Sequence, residues 1–214
     1  MKFQFDKAKD TAFLTLIVLS IALNIHKVKA QTFGLSLSAG GILSQIDGDG
    51  ATGYNRLGAH LGLRSIISSG NRLQYKAGFF YNERGSLSKF INPQASPVNI
   101  NVELVEIPIE VHWRDWQQDD GQYRISYFFG FSYGRVLNAS ILHPMAPVDL
   151  AQNINRNDVS YILGAEVGIW NQLKIGGRFT RSITLLYNSR NFPSVNFRSM
   201  QTYFLSLYLV YDLL

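Results

Sequence analysis

Between positions 32 and 214 apolar and polar residues alternate with a period of two, in about eight separate runs. The run at 123–133 shows it best. Ile125, Tyr127, Phe129, Phe131 and Tyr133 fall on one side, and Arg124, Ser126, Gly130 and Ser132 on the other. A period of two puts successive side chains on opposite faces of a strand. The runs predict strands at 33–43, 55–67, 72–84, 102–113, 123–136, 159–170, 173–187 and 200–214. The links between them are alternately short and long. Tight turns fall at 68–71 and 171–172, and an intermediate link at 114–122. Longer links fall at 85–101, 137–158 and 188–199, and a moderate one at 44–54. Strands of about ten residues, joined by short turns at one end and long loops at the other, are the mark of an outer-membrane barrel. The predicted fold is therefore all-β: an eight-stranded antiparallel up-and-down transmembrane β-barrel with both termini on the periplasmic side.

Alternation alone leaves open which face is inside, since a lipocalin-like barrel has the same period with its apolar face inward. Two features favour the membrane. Aromatic residues gather near strand ends, at Tyr54, Tyr81, Trp113, Tyr123, Tyr133, Trp170, Tyr187, Tyr203 and Tyr211, as interfacial girdles do. Several predicted strands also exceed the usual five or six residues of soluble sheets. With the apolar face toward lipid, the other face fills the lumen. It carries Arg56, His60, Arg64, Lys76, Glu106, Glu110, Arg124, Glu166 and Arg178, with Gln74, His112, Lys174 and Asp212. An eight-stranded barrel is only wide enough for side chains. Both signs of charge must then pair there, because an unpaired buried charge is expensive. The expectation is an Arg/Lys–Glu network that closes the lumen. Pro108 interrupts the fourth run; lacking an N–H, it predicts a local bulge.

The first thirty residues break the pattern. Lys2, Lys7 and Lys9 precede an apolar stretch at 12–25, too short for a helical span, and Val28-Lys29-Ala30 offers a cleavage site before Gln31. Residues 1–30 are expected to be a signal peptide, cut between Ala30 and Gln31, and 31–214 the barrel domain. This alters the charge. The chain is +5, but residues 1–30 hold five Lys and two Asp, so 31–214 carry only +2. A nucleic-acid partner has no support. With no cysteine in the chain, disulfides, thiol catalysis and a cysteine lipid anchor are excluded.

Candidate chemistry is sparse. Asp47-Gly48-Asp49-Gly50 could wrap Ca²⁺, and Asp47 and Asp49 are the weak metal candidates; the distal Glu of an EF-hand is replaced by Arg56-Leu57. Turn chemistry explains the segment as well. His60 and His112 sit at lumen parity without a Ser-x-His or Gly-x-Ser-x-Gly companion. No catalytic residue and no cofactor is expected. Partners are outer-membrane lipid and envelope or secretion-complex proteins docking on the links 85–101 and 137–158, where Phe90, Ile91, Ile141, Leu142 and Met145 are apolar.

The segment 40–58, GGILSQIDGDGATGYNRLG, resembles the opening of the PorT-family outer-membrane barrels of Bacteroidota. The segment 102–113, VELVEIPIEVHW, is similar to that family's strand with a Glu-Ile-Pro centre. The resemblance implies a Gram-negative outer-membrane location and, for some members, a role in type IX secretion or gliding. Unlike many members, this chain ends in Leu214 rather than an aromatic residue. The expected function is a structural or accessory envelope component. The alternatives are a lipid A-modifying enzyme and a narrow channel or small-ligand binder.

Overall fold

Each strand pairs with its predecessor in antiparallel register, and the last pairs with the first, closing a barrel in the order β1 to β8. The computed structural model describes residues 32–50, 53–70, 72–88, 98–119, 121–142, 150–191 and 198–213. The expected signal at 1–30, its cleavage point at Ala30–Gln31, and Phe90, Ile91 and Met145 lie outside the described residues. The strands are β1 Thr32–Asp47, β2 Arg56–Ser69, β3 Leu73–Leu87, β4 Asn99–Gln117, β5 Tyr123–Leu142, β6 Asn157–Gly168, β7 Leu173–Ser182 and β8 Gln201–Asp212. The fold is the one the alternation predicts: all-β, eight-stranded, up-and-down and closed.

Closure follows from the two faces. Odd-numbered residues of β1–β3, such as Phe33, Leu37, Leu57, Leu61 and Phe79, point outward, as do Ile109, Phe129, Phe131, Leu163, Ile175 and Leu207 further round. An outward apolar belt on a closed sheet with no free edge is a surface made for lipid, not water. The chain is therefore a membrane-spanning barrel of the outer-membrane type. Even-numbered residues of the same strands point inward, and the large ones, such as Ile42, His60, Arg64, Lys76 and Phe80, are buried.

Strand lengths are unequal, and here the structure differs from the sequence reading. β4 has 19 residues and β5 has 20, against 10 in β7. About ten suffice to cross the apolar layer. The links expected at 85–101 and 137–158 are thus partly strand: residues 99–103 pair with 138–142 well beyond the belt. The seventh strand stops at Ser182 rather than at 187; beyond it Tyr187 and Met200 form an isolated bridge. The bulge expected at Pro108 is not there. The β3–β4 register runs unchanged past Pro108, and only the pairs Gly78/Pro108 and Phe79/Ile107 are missing. Antiparallel residues bond to one neighbour at a time, so a missing N–H thins the β3 side without inserting a residue. The register shift lies at Glu103/Leu104, where Leu137 is the extra residue of β5. It reverses the facing of β5, so that Ala139 and Ile141 turn inward while Leu142 is exposed.

The lumen is packed in two levels. A charged layer occupies its middle. Above it, toward the long links, Ile46, Ile100, Val102, Leu104 and Val136 meet Leu150, Ile154, Leu186, Tyr187 and Met200 from the links in one apolar cluster. Gly48, at φ +94°, turns the chain out of β1; a side chain there would strike the Ser199 carbonyl.

Candidate functional site

Inward parity on five strands brings the predicted lumen residues together. Arg64 of β2 lies 3.3 Å from Glu110 of β4 and 2.7 Å from Glu166 of β6. Lys76 of β3 donates to Glu166 at 2.8 Å. Arg178 of β7 donates to Glu106 at 2.9 Å and lies 3.9 Å from Glu110. All six are buried. Since neighbouring strands bring inward residues to the same height, each cation meets a carboxylate two strands or more away, across the barrel rather than beside it. Pairing across the lumen ties opposite walls together.

Two members escaped the sequence reading. Arg84 donates to Asp158 at 2.7 Å and sits 3.7 Å from Glu106, and Ser160 and Thr184 also donate to Asp158. Asp158 was assigned to a link, yet it shares parity with Ser160 and Glu166, which was the available signal. Arg64, Lys76, Arg84 and Arg178 then face Glu106, Glu110, Asp158 and Glu166, four charges of each sign. Aromatic rings separate them. Arg178 lies 5.0 Å from the Phe80 ring centre, Arg84 5.4 Å from Phe204, and Arg64 6.0 Å from Tyr208. A cation over a ring face is attracted by the ring quadrupole, which suits a guanidinium taken out of water. Gly176 faces the Tyr208 ring, and a Cβ there would overlap it.

Other predicted residues lie elsewhere. Arg56 is on the lumen side but at the long-link rim, donating to Asn99 Oδ1 at 2.6 Å. Arg124 is exposed at the short-turn end, its guanidinium 5.6 Å from the Trp116 ring centre. Trp116 has φ +55°, and the Trp116/Arg124 pair is missing from the ladder. The strand has already lost its regular alternation there, so parity no longer places Arg124 inside. Lys174 and Asp212 pair at 2.6 Å below the charged layer, and Gln74 donates to Ser68.

The histidines are engaged. His60 Nδ1 is 2.6 Å from Asn82 Oδ1, and its ring packs against Phe80 and Tyr208. His112 Nε2 is 3.0 Å from Glu110, and its ring stacks on Phe128. Asn82 and Glu110 orient these rings without placing a hydroxyl nucleophile on either. Asp47 and Asp49 diverge. Asp47 points to Arg181 at 3.5 Å, whereas Asp49 is buried, and the described residues hold no cluster of three metal-ligating groups.

No family model and no curated protein matches the chain. Among solved structures, it is similar to the attachment invasion locus protein Ail of Yersinia pestis, at 12% identity, covering 84% of this chain and 97% of that one, with a TM-score of 0.46. It is similar to Neisserial surface protein A, at 8% identity, covering 86% and 99%, also at 0.46. A de novo designed transmembrane barrel follows, at 9% identity, covering 84% and 95%, at 0.39. The strand pairing and the outward belt, rather than these likenesses, define the fold here.

Proposed function

We propose that this protein is a non-catalytic outer-membrane barrel whose lumen is closed, serving as a structural or interaction component of a Gram-negative envelope. The observation that supports this most is the double filling of the lumen: a charge-balanced layer at mid-height and an apolar cluster above it. Such a barrel conducts nothing by diffusion. Its strands are scaffold, and its partner-binding surface is the long-link end, which faces outward in barrels of this topology. The segments 40–58 and 102–113 support a finer version, in which the chain is a PorT-type accessory of envelope assembly or type IX secretion in a Bacteroidota cell. Its partner proteins would then dock on the links within 85–101 and 137–158.

Crosslinked pull-down from native outer membranes tests this, comparing the wild type with variants shortened in those two links. The expected result is an envelope protein captured by the wild type and lost on shortening. A partner that persists without either link overturns the docking assignment. Stepwise conductance of the wild type in planar bilayers overturns closure. A change in lipid A composition that vanishes in His60→Ala or His112→Ala overturns the non-catalytic reading.

A further inference from the structure

Beyond the barrel axis, the arc from β5 to β7 carries a second feature at the long-link end. The links around 152–155 and 184–188 flank an open cavity of about 460 Å³. Gln152, Asn153, Asn155, Thr184 and Asn188 line it, with Ile154, Leu185 and Leu186 as its apolar wall. No charged side chain takes part. Carboxamides donate and accept in one plane, a pattern that matches neighbouring hydroxyls better than it matches an ion. The volume lies within the range of small-ligand sites.

The cavity is joined to a cation. Asn155 Oδ1 accepts from the Asn157 backbone N–H at 3.0 Å. Asn157 Oδ1 in turn accepts from Arg135 at 2.6 Å and from the Tyr133 hydroxyl at 2.8 Å. Arg135 is exposed and continues the outward series Phe129, Phe131, Tyr133 on β5. It stands directly beyond an aromatic residue of the interfacial kind, with exposed Leu137 following it. Arg156, also exposed, lies just before β6 and donates to the Leu137 carbonyl. The neighbouring arc is of opposite character. On β3 and β4 the outward residues at this end are Glu83, which accepts from the Tyr81 hydroxyl, and Glu103, which accepts from Asn101 and from Asn138 of β5. By charge, an anion at headgroup level is favoured by Arg135 and Arg156 and disfavoured by Glu83 and Glu103.

We propose that this arc holds the headgroup of a phosphorylated glycolipid of the outer leaflet, with a sugar ring in the amide-lined cavity and a phosphate on Arg135. The guanidinium fork suits phosphate oxygens, and the Asn157 bond fixes its direction in advance. The site rests on the outer-membrane reading with the long links outward. It overlaps the 137–158 link assigned to partner docking, so it is read by lipid retention on the purified barrel with no partner protein present.

The test is native mass spectrometry of the purified full barrel in detergent, with lipid A, phosphatidylglycerol or no lipid added. The wild type is expected to retain lipid A in preference to phosphatidylglycerol. Arg135→Ala should lose about tenfold in lipid A retention, the scale of one charge-assisted contact. Gln152→Ala combined with Asn188→Ala should remove the preference between the two lipids while leaving phosphate-dependent binding. Arg114→Ala, at the opposite end, should change neither. Unboiled gel mobility shows that each variant is folded. Equal retention of phosphatidylglycerol by the wild type overturns the sugar assignment. Undiminished retention by Arg135→Ala, or an equal loss in Arg114→Ala, overturns the site. Failure of the folded protein to float with outer-membrane vesicles refutes the membrane reading instead, and that result is separate from lipid choice.

Discussion

The charged layer and the apolar cluster above it fill the same lumen, on the same inward positions of the same strands, by opposite means. The layer joins Arg64, Lys76, Arg84 and Arg178 to Glu106, Glu110, Asp158 and Glu166. The cluster packs Ile46, Ile100, Val102, Leu104 and Val136 against the links. Between lipid-facing walls an apolar filling costs nothing to desolvate, while each buried ion costs several kcal/mol before pairing returns it. The layer is therefore poor as a source of stability and strong as a constraint. Its charges are satisfied only when opposite walls stand in register. The cluster is graded and tolerant, because apolar contacts lack direction. Closure of the barrel and covering of its mouth are separate tasks with separate chemistry.

The contrast breaks most visibly at Glu166, which faces both Arg64 at 2.7 Å and Lys76 at 2.8 Å. Glu166→Gln takes from Lys76 the carboxylate it donates to and leaves Arg64 only Glu110, at 3.3 Å. The expected loss is about 3–5 kcal/mol, the usual cost of stranding a buried charge. Reversible urea unfolding in phospholipid vesicles, followed by Trp113, Trp116 and Trp170, measures it. A loss below about 1 kcal/mol, within the range of exposed pairs, would mean that water reaches the layer freely. In the cluster, Leu104→Ala removes buried methyl groups and strands nothing. A loss of about 2–3 kcal/mol is expected, near the low end for buried Leu because link residues can settle into the space. If Leu104→Ala proved costlier than Glu166→Gln, the division between constraint and filling would be wrong.

A finer separation comes from deleting both partners of one pair. Arg178 donates to Glu106 at 2.9 Å, and Arg84 lies 3.7 Å from the same carboxylate. Arg178→Met with Glu106→Gln should be less damaging than the two single losses added together, by about 2 kcal/mol of coupling. The double variant removes a charge of each sign and keeps the layer neutral. Ile100→Ala with Val102→Ala, in the cluster, should add within about 0.5 kcal/mol, because these side chains contribute mainly through their own burial. Additivity in the layer, or strong coupling in the cluster, would erase the distinction.

Much of this was legible in the sequence, and the rest failed for identifiable reasons. Parity placed Arg64, Lys76, Glu106, Glu110, Glu166 and Arg178 on the inner face, because period two holds wherever a strand is regular. It failed at the ends. Trp116, in the left-handed region, stops the alternation before Arg124, and the extra residue Leu137 reverses the parity of β5. Asp158 was missed because β6 begins two residues before the predicted strand at 159. Arg84 lay inside the predicted strand at 72–84, at the parity of Lys76, but at its very end, where an inward side chain is hardest to tell from a rim one. The apolar cluster was missed for a related reason. Ile100, Val102 and Leu104 sit on the inward parity of β4, with Val98 just before it, but an inner face read as small or charged left no place for them. The cavity at 152–188 depends on how two links fold over the strand ends, which no periodicity records.

The smallest effect belongs to a pair that shares the chemistry of the layer but not its surroundings. Lys174 and Asp212 meet at 2.6 Å, a shorter contact than any in the layer, yet their side chains are 22% and 21% exposed. They lie at the short-turn end, on a polar cavity shared with Gln74, Gln117 and Gln122. Water there solvates both ions when the pair is broken, so little is stranded. Lys174→Ala is expected to cost under about 1 kcal/mol, and 1 M salt should shrink that further. The same unfolding experiment reads it. Contact length predicts the reverse order, with Lys174 mattering more than Arg64 at 3.3 Å from Glu110. Burial, not distance, is expected to rank these pairs, and a Lys174→Ala loss approaching that of Glu166→Gln would extend the layer's constraint to the open end of the barrel.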